Sequence, residues 1–69
     1  MAYTENNPTY HAVKIRGMLN NVIKLCREDI EKVSEPKAQA MFETTAEVLT
    51  GLMIAYSHYE TEVEETMRH

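Results

Sequence analysis

The segment Val33-Ser34-Glu35-Pro36 divides the chain into two long stretches in which apolar residues recur at helical spacing. Proline interrupts a helix interior but is tolerated in a first turn, where backbone N–H groups have no intrahelical partner. Ser34 is a residue type that caps helix starts. The sequence therefore predicts an all-α protein, an antiparallel helical hairpin with helices at residues 8–33 and 35–66.

The first stretch opens with Asn7-Pro8, which is typical of a helix start because asparagine caps free N–H groups and proline fits the first helical position. Residues 1–7 are then a polar N-terminal lead, and residues 8–69 form a single helical-hairpin domain. Projected at about 100° per residue, the apolar residues of the first helix fall within an arc of roughly 140°. They are Ala12, Ile15, Met18, Leu19, Val22, Ile23, Cys26, Ile30 and Val33.

The second stretch carries a comparable stripe, roughly 140 to 160° wide by the same projection. Gly51 lies away from this stripe and costs about 1 kcal/mol of helix propensity, which is too little to end a packed helix. We therefore expect one helix that continues past Gly51. The stripe consists of Ala38, Met41, Phe42, Thr45, Ala46, Leu49, Leu52, Met53, Tyr56, Tyr59, Val63 and Met67.

Each stripe is wider than one partner helix can cover, and a chain of 69 residues with one cysteine has neither a large core nor an intramolecular disulfide. We expect a homodimer in which two hairpins stack as a four-helix bundle. A different helical protein and a higher oligomer are the alternatives. The predicted centre of the dimer core consists of Leu19, Val22, Cys26, Phe42, Leu49, Leu52 and Tyr56.

Charge is distributed unevenly along the hairpin. Residues 9–34 carry five basic and three acidic side chains, residues 35–69 carry two basic and seven acidic ones, and Glu5 completes the net charge of −4. Weak attraction between solvated helices accounts for this pattern. The alternative is a basic face for RNA or an acidic partner, although the negative net charge disfavours nucleic acid. That face would comprise Lys14, Asn21, Lys24 and Arg27.

Two single residues are further candidates. Cys26 lies near the centre of the first stripe, where a thiol usually packs as a small hydrophobe. Glu60 projects into the apolar arc of the second helix. We expect it either to leave the core where the longer second helix overhangs, or to be a buried carboxylate that bonds to a tyrosine and contacts a partner.

A spacing of i, i+4, i+7 and i+11 places four weak metal-ligand candidates on one outward face of the second helix. A solvated helix end is the alternative interpretation of the same residues. They are His58, Glu62, Glu65 and His69. If they bind a divalent metal, this is a second alternative function for the chain.

The stretch SEPKAQAMFETTAE, which runs from Ser34 to Glu47, resembles the turn and early second helix of ferritin-like, rubrerythrin-type helix pairs. In those pairs a proline-led turn precedes an Ala/Leu/Phe core pattern. The resemblance covers residues 34–53 and implies one helix pair of a bundle. The family's Glu-x-x-His metal motif falls in register on Leu49 and Leu52, so the di-iron function is not implied for this chain.

Motifs of enzymatic chemistry, such as a glycine-rich phosphate loop or a nucleophile beside a base, are not found in the sequence. We expect a non-enzymatic protein without a cofactor that serves as an interaction or regulatory module. The single cysteine fits a reducing compartment, and the longest apolar run is too short to span a bilayer. These features predict a cytoplasmic protein that does not associate with membranes.

Overall fold

The chain forms two antiparallel α-helices joined by a short turn. The computed structural model describes residues 6–67, and the side chains of residues 6–63. Helix α1 spans Pro8–Ile30 and helix α2 spans Pro36–Met67. The side chain of Gln39 bonds to the carbonyl of Ile30 at the end of α1, whereas Glu60 bonds to Arg16 in the first half of α1. The predicted all-α helical hairpin is confirmed.

The start of α1 has the predicted cap. Asn7 has an extended backbone, and its side-chain oxygen accepts a hydrogen bond of 3.0 Å from the backbone N–H of Tyr10. Pro8 occupies the first helical position, where its missing N–H is not needed. A cap of this type stabilises a helix by about 1 kcal/mol.

Helix α1 ends at Ile30, earlier than the predicted end at residue 33. The N–H of Glu31 bonds to a carbonyl three residues back at 3.3 Å, and the N–H of Lys32 does the same at 3.0 Å. Bonds of this shorter type tighten the chain and are common at the last turn of a helix. The polypeptide then leaves the helical path before Val33.

The side chain of Gln39 holds the turn between the helices. Its amide nitrogen donates a hydrogen bond of 2.8 Å to the carbonyl of Val33 and one of 3.5 Å to the carbonyl of Ile30. The first backbone bond of α2 runs from the N–H of Gln39 to the carbonyl of Glu35 at 3.0 Å. Glu35 therefore occupies the N-cap position that the sequence had suggested for Ser34.

A hairpin seam joins the two helices. Its positions are spaced alternately by three and four residues, which keeps them on one side of each helix. Ala12 and Ile23 of α1 and Ala46 of α2 are buried in this seam, with exposures of 7, 8 and 0%. The seam comprises Ala12, Arg16, Leu19, Ile23, Cys26 and Ile30 of α1 and Phe42, Ala46, Leu49, Met53, Tyr56 and Glu60 of α2.

The molecule is a slab one helix thick. Its principal dimensions are 52 × 25 × 13 Å, and its radius of gyration is 15.8 Å, compared with about 11 Å for a compact domain of this length. Among the residues whose side chains are described, the buried ones lie in the hairpin seam, and both broad sides of the slab face solvent.

Candidate interaction surface

A second apolar seam runs beside the hairpin seam on each helix. Each of its positions precedes a hairpin-seam position by one residue and keeps the alternating spacing of three and four. The large apolar side chains at these positions are between 37 and 63% exposed. We call them the open face: Ile15, Met18, Val22 and Leu25 of α1, and Met41, Val48, Leu52 and Tyr59 of α2.

Both halves of the open face lie on the same broad side of the slab. A shift of one residue rotates a helical position by about 100°, in the same sense about each helix axis. Because the helices are antiparallel, this rotation turns the second seam of α1 and the second seam of α2 toward the same broad side. A shallow groove on that side is lined by His11 and Ile15 from α1 and by Ala55 and Tyr59 from α2.

The opposite broad side of the slab is mainly polar. Residues that project there include Asn20 and Arg27 of α1 and Glu43 and Thr50 of α2. Two apolar residues, Val13 and Ile54, also project to this side and are 43 and 54% exposed. Scattered exposed apolar residues are ordinary, whereas a contiguous apolar face indicates a contact surface.

The chain exposes more total surface than a compact monomer of the same mass. Its solvent-accessible surface is 5562 Å² for a mass of 8.0 kDa. Compact monomers of this mass expose about 4450 Å². The excess, about 1100 Å², exceeds the roughly 800 Å² that each partner contributes to a standard protein interface.

The predicted dimer-core residues divide between the two seams. Val22 and Leu52 lie on the open face, whereas the others are half-buried in the hairpin seam. The structure also adds Leu25 and Val48, which lie at the margin of the predicted arcs and were missed. The predicted dimer-core residues that lie in the hairpin seam are Leu19, Cys26, Phe42, Leu49 and Tyr56.

An ion pair occupies the hairpin seam near the end of the hairpin that lies opposite the turn. The guanidinium of Arg16 donates hydrogen bonds of 2.7 and 3.4 Å to the two carboxylate oxygens of Glu60. The side chains are 35 and 21% exposed, respectively. Glu60 thus has an arginine partner within the hairpin, where the sequence had suggested either a solvated position or a tyrosine partner.

The candidate basic residues of α1 do not share one face. Lys14, Asn21, Lys24 and Arg27 are all exposed, but at about 100° per residue they spread over roughly 140° of the helix surface. Lys14 and Asn21 project from the outer edge of α1, and the other two lie toward the polar side. The Lys14 ammonium lies 5.5 Å from the centre of the Tyr10 ring.

The candidate metal ligands and Cys26 are only partly covered by the described residues. His58 and Glu62 lie exposed on α2, while the side chain of Glu65 and the whole of His69 are outside the described part of the chain. Within the described part, no group of three His, Cys, Asp or Glu side chains is placed to hold a metal ion. Cys26 is half-buried in the hairpin seam.

Comparison of the chain with protein-family models, with curated proteins and with solved structures found no match. Neither helix, over its described residues, has the length and apolar character needed to cross a membrane.

Proposed function

We propose that this chain is a self-associating helical protein and that its open face binds a second copy to form a four-helix bundle. The observation that supports the proposal is the open face itself, an apolar surface on one side of a hairpin whose other side is mainly polar. Two such faces stacked together would give each helix a second apolar neighbour. The product would resemble a small four-helix domain rather than half of one.

The second copy is favoured over an unrelated partner because the open face repeats the pattern of the hairpin seam. Both seams have alternating spacings of three and four residues, and aliphatic, methionine and aromatic side chains occupy most of their positions. This spacing suits helix packing at shallow crossing angles. A face of this kind is complementary to another copy of itself, which is what a twofold dimer requires.

The proposed role of the dimer is that of an interaction or regulatory module without catalytic activity. It acts in the cytoplasm, which is consistent with a lone thiol that a reducing compartment keeps unpaired. Stability and assembly are then linked, because the open face is desolvated only in the dimer.

The test uses two substitutions on α2 that introduce a charge on opposite broad sides of the slab. Leu52→Glu places a carboxylate on the open face, and Ile54→Glu places the same group on the polar side. The two residues are 44 and 54% exposed, so they are matched in accessibility. Sedimentation velocity should show a dimer for the wild type and for Ile54→Glu, but monomer or unfolded chain for Leu52→Glu.

Val22→Glu on α1 should act like Leu52→Glu, because both residues belong to the open face. A Leu52→Glu variant that remains a folded dimer would refute the proposal. Equal disruption by Ile54→Glu would also count against it, since the effect would then not depend on the open face.

A further inference from the structure

The open face has a symmetry that bears on how two copies pair. Its residues lie at equal distances in sequence on either side of one position in each helix. That position is 20 in α1 and 50 in α2. The equidistant pairs are Ile15 with Leu25 and Met18 with Val22 in α1, and Met41 with Tyr59 and Val48 with Leu52 in α2.

The two centres lie at about the same level along the hairpin. One groove brings residues 8–15 of α1 beside residues 55–59 of α2, and another brings residues 25–29 beside Phe42. Asn20 lies midway between these levels on α1, and Thr50 lies midway on α2. A single twofold axis perpendicular to the helices can therefore pass through both centres.

We infer that the two hairpins pair with their turns at opposite ends of the bundle, an inference that rests on the proposed self-association. In this arrangement α1 packs against α1 of the partner, and α2 packs against the partner's α2. Ile15 then meets the partner's Leu25, and Met41 meets the partner's Tyr59. Every large apolar residue of the open face acquires an apolar neighbour.

The other face-to-face arrangement, with both turns at the same end, gives poorer pairs. Its axis runs parallel to the helices and stacks α1 on α2 of the partner at equal levels. Asp29 would then lie opposite the partner's Met41, and Leu25 opposite the partner's Thr45. Covering a carboxylate with a thioether costs free energy, because the charged group loses water without gaining a hydrogen bond.

Charge at the edge of the open face favours the same choice. Lys14 precedes Ile15 of the open face, and Glu28 precedes Asp29, which occupies the next position of the second apolar seam after Leu25. Lys14 and Glu28 both lie on the outer edge of α1 and are exposed. With the turns at opposite ends, Lys14 faces the partner's Glu28, and symmetry repeats this pair. With the turns at the same end, Lys14 would face the partner's His58, which removes the complementarity.

A charge exchange tests this arrangement directly. Lys14 and Glu28 are separated by about 21 Å along α1, so they cannot contact each other within one chain. Lys14→Glu and Glu28→Lys should each raise the dimer Kd about fivefold to tenfold, since two attractive pairs become repulsive. The double variant Lys14→Glu/Glu28→Lys should restore a Kd within about twofold of the wild type, as measured by analytical ultracentrifugation at low salt.

A distance measurement gives an independent answer. Spin labels attached at Ser34→Cys, in a Cys26→Ser background shown to be dimeric, should lie about 42 Å apart in the dimer. Labels at Asn21→Cys, near the twofold axis, should be close, because neighbouring helices pack about 8 to 10 Å apart. With the turns at the same end, the Ser34 labels would instead be close and the Asn21 labels far apart.

Each outcome has a distinct meaning. Failure of the double variant to recover affinity, or close Ser34 labels in a dimeric protein, overturns the arrangement and leaves self-association intact. A wild-type chain that remains monomeric at high micromolar concentration overturns self-association itself.

Discussion

Breaking the Arg16–Glu60 pair should destabilise the hairpin by more than an exposed ion pair would. Replacing Arg16 with Met leaves the carboxylate of Glu60, which is 21% exposed, without its partner. A part-buried charged acceptor that loses its donor costs about 1.5 kcal/mol, and Glu60→Met should cost a similar amount. The double variant removes both charges, so its cost should be below the sum of the two by about 1 kcal/mol.

The value of about 1 kcal/mol comes from the geometry of the pair. The guanidinium makes a short hydrogen bond of 2.7 Å and a longer one of 3.4 Å, while partial exposure of both side chains lowers the coupling below that of a buried pair. Urea unfolding at one fixed protein concentration provides the four free energies. The concentration must be fixed because the stability of the proposed dimer would depend on it.

The Lys32–Asp29 pair is the matched control. Its side chains are 69 and 36% exposed and the charged atoms are 3.4 Å apart, so its coupling energy should be close to zero. If the Arg16–Glu60 cycle gives a coupling no larger than this control, then the pair does not stabilise the hairpin and our reasoning is wrong.

Substitutions at two further positions test the turn and the helix interior. Gln39→Ala removes the donor to the carbonyls of Val33 and Ile30 and should lower the free energy of unfolding by about 1 kcal/mol. Gln39→Glu keeps the shape of the side chain but replaces the amide NH₂ with a carboxylate oxygen, so it should be no more stable than Gln39→Ala. Unchanged stability in either variant would contradict the role of Gln39. Gly17→Ala should raise the free energy of unfolding by roughly 0.5 to 1 kcal/mol, because the backbone is helical and a Cβ atom there meets nothing within 4 Å. A fall in melting temperature would contradict this and would indicate that position 17 is covered in the assembled protein.

The sequence was sufficient to predict the two helices, because their signals are local. Asn7 and Pro8 mark the start of α1, and both act within one turn of chain. The end of α1 could not be predicted in the same way. The amide of Gln39 reaches back six residues to the carbonyl of Val33 in the turn and nine residues to that of Ile30, the last residue of α1. A polar residue early in α2 gives no sign of this long-range contact in a hydrophobic pattern.

The candidate surface was predicted only in outline. The width of the stripes indicated excess apolar surface, but a projection at uniform angle merges two neighbouring seams into one arc. Leu25 and Val48 lie at the edge of that arc and were assigned to neither side. The Arg16–Glu60 pair was missed because charged residues at apolar positions are recognised as partners only when both helices are placed together.

The methionines of the open face connect its exposure with oxidation chemistry. Met18 and Met41 are 63 and 60% exposed, so a peroxide in solvent has access to both thioethers while the face is uncovered. Oxidation would add a polar sulfoxide oxygen to a surface that packs against apolar side chains in the proposed dimer. The rate at which these two sulfur atoms react therefore reports how much of the time the surface is covered, without any label or substitution.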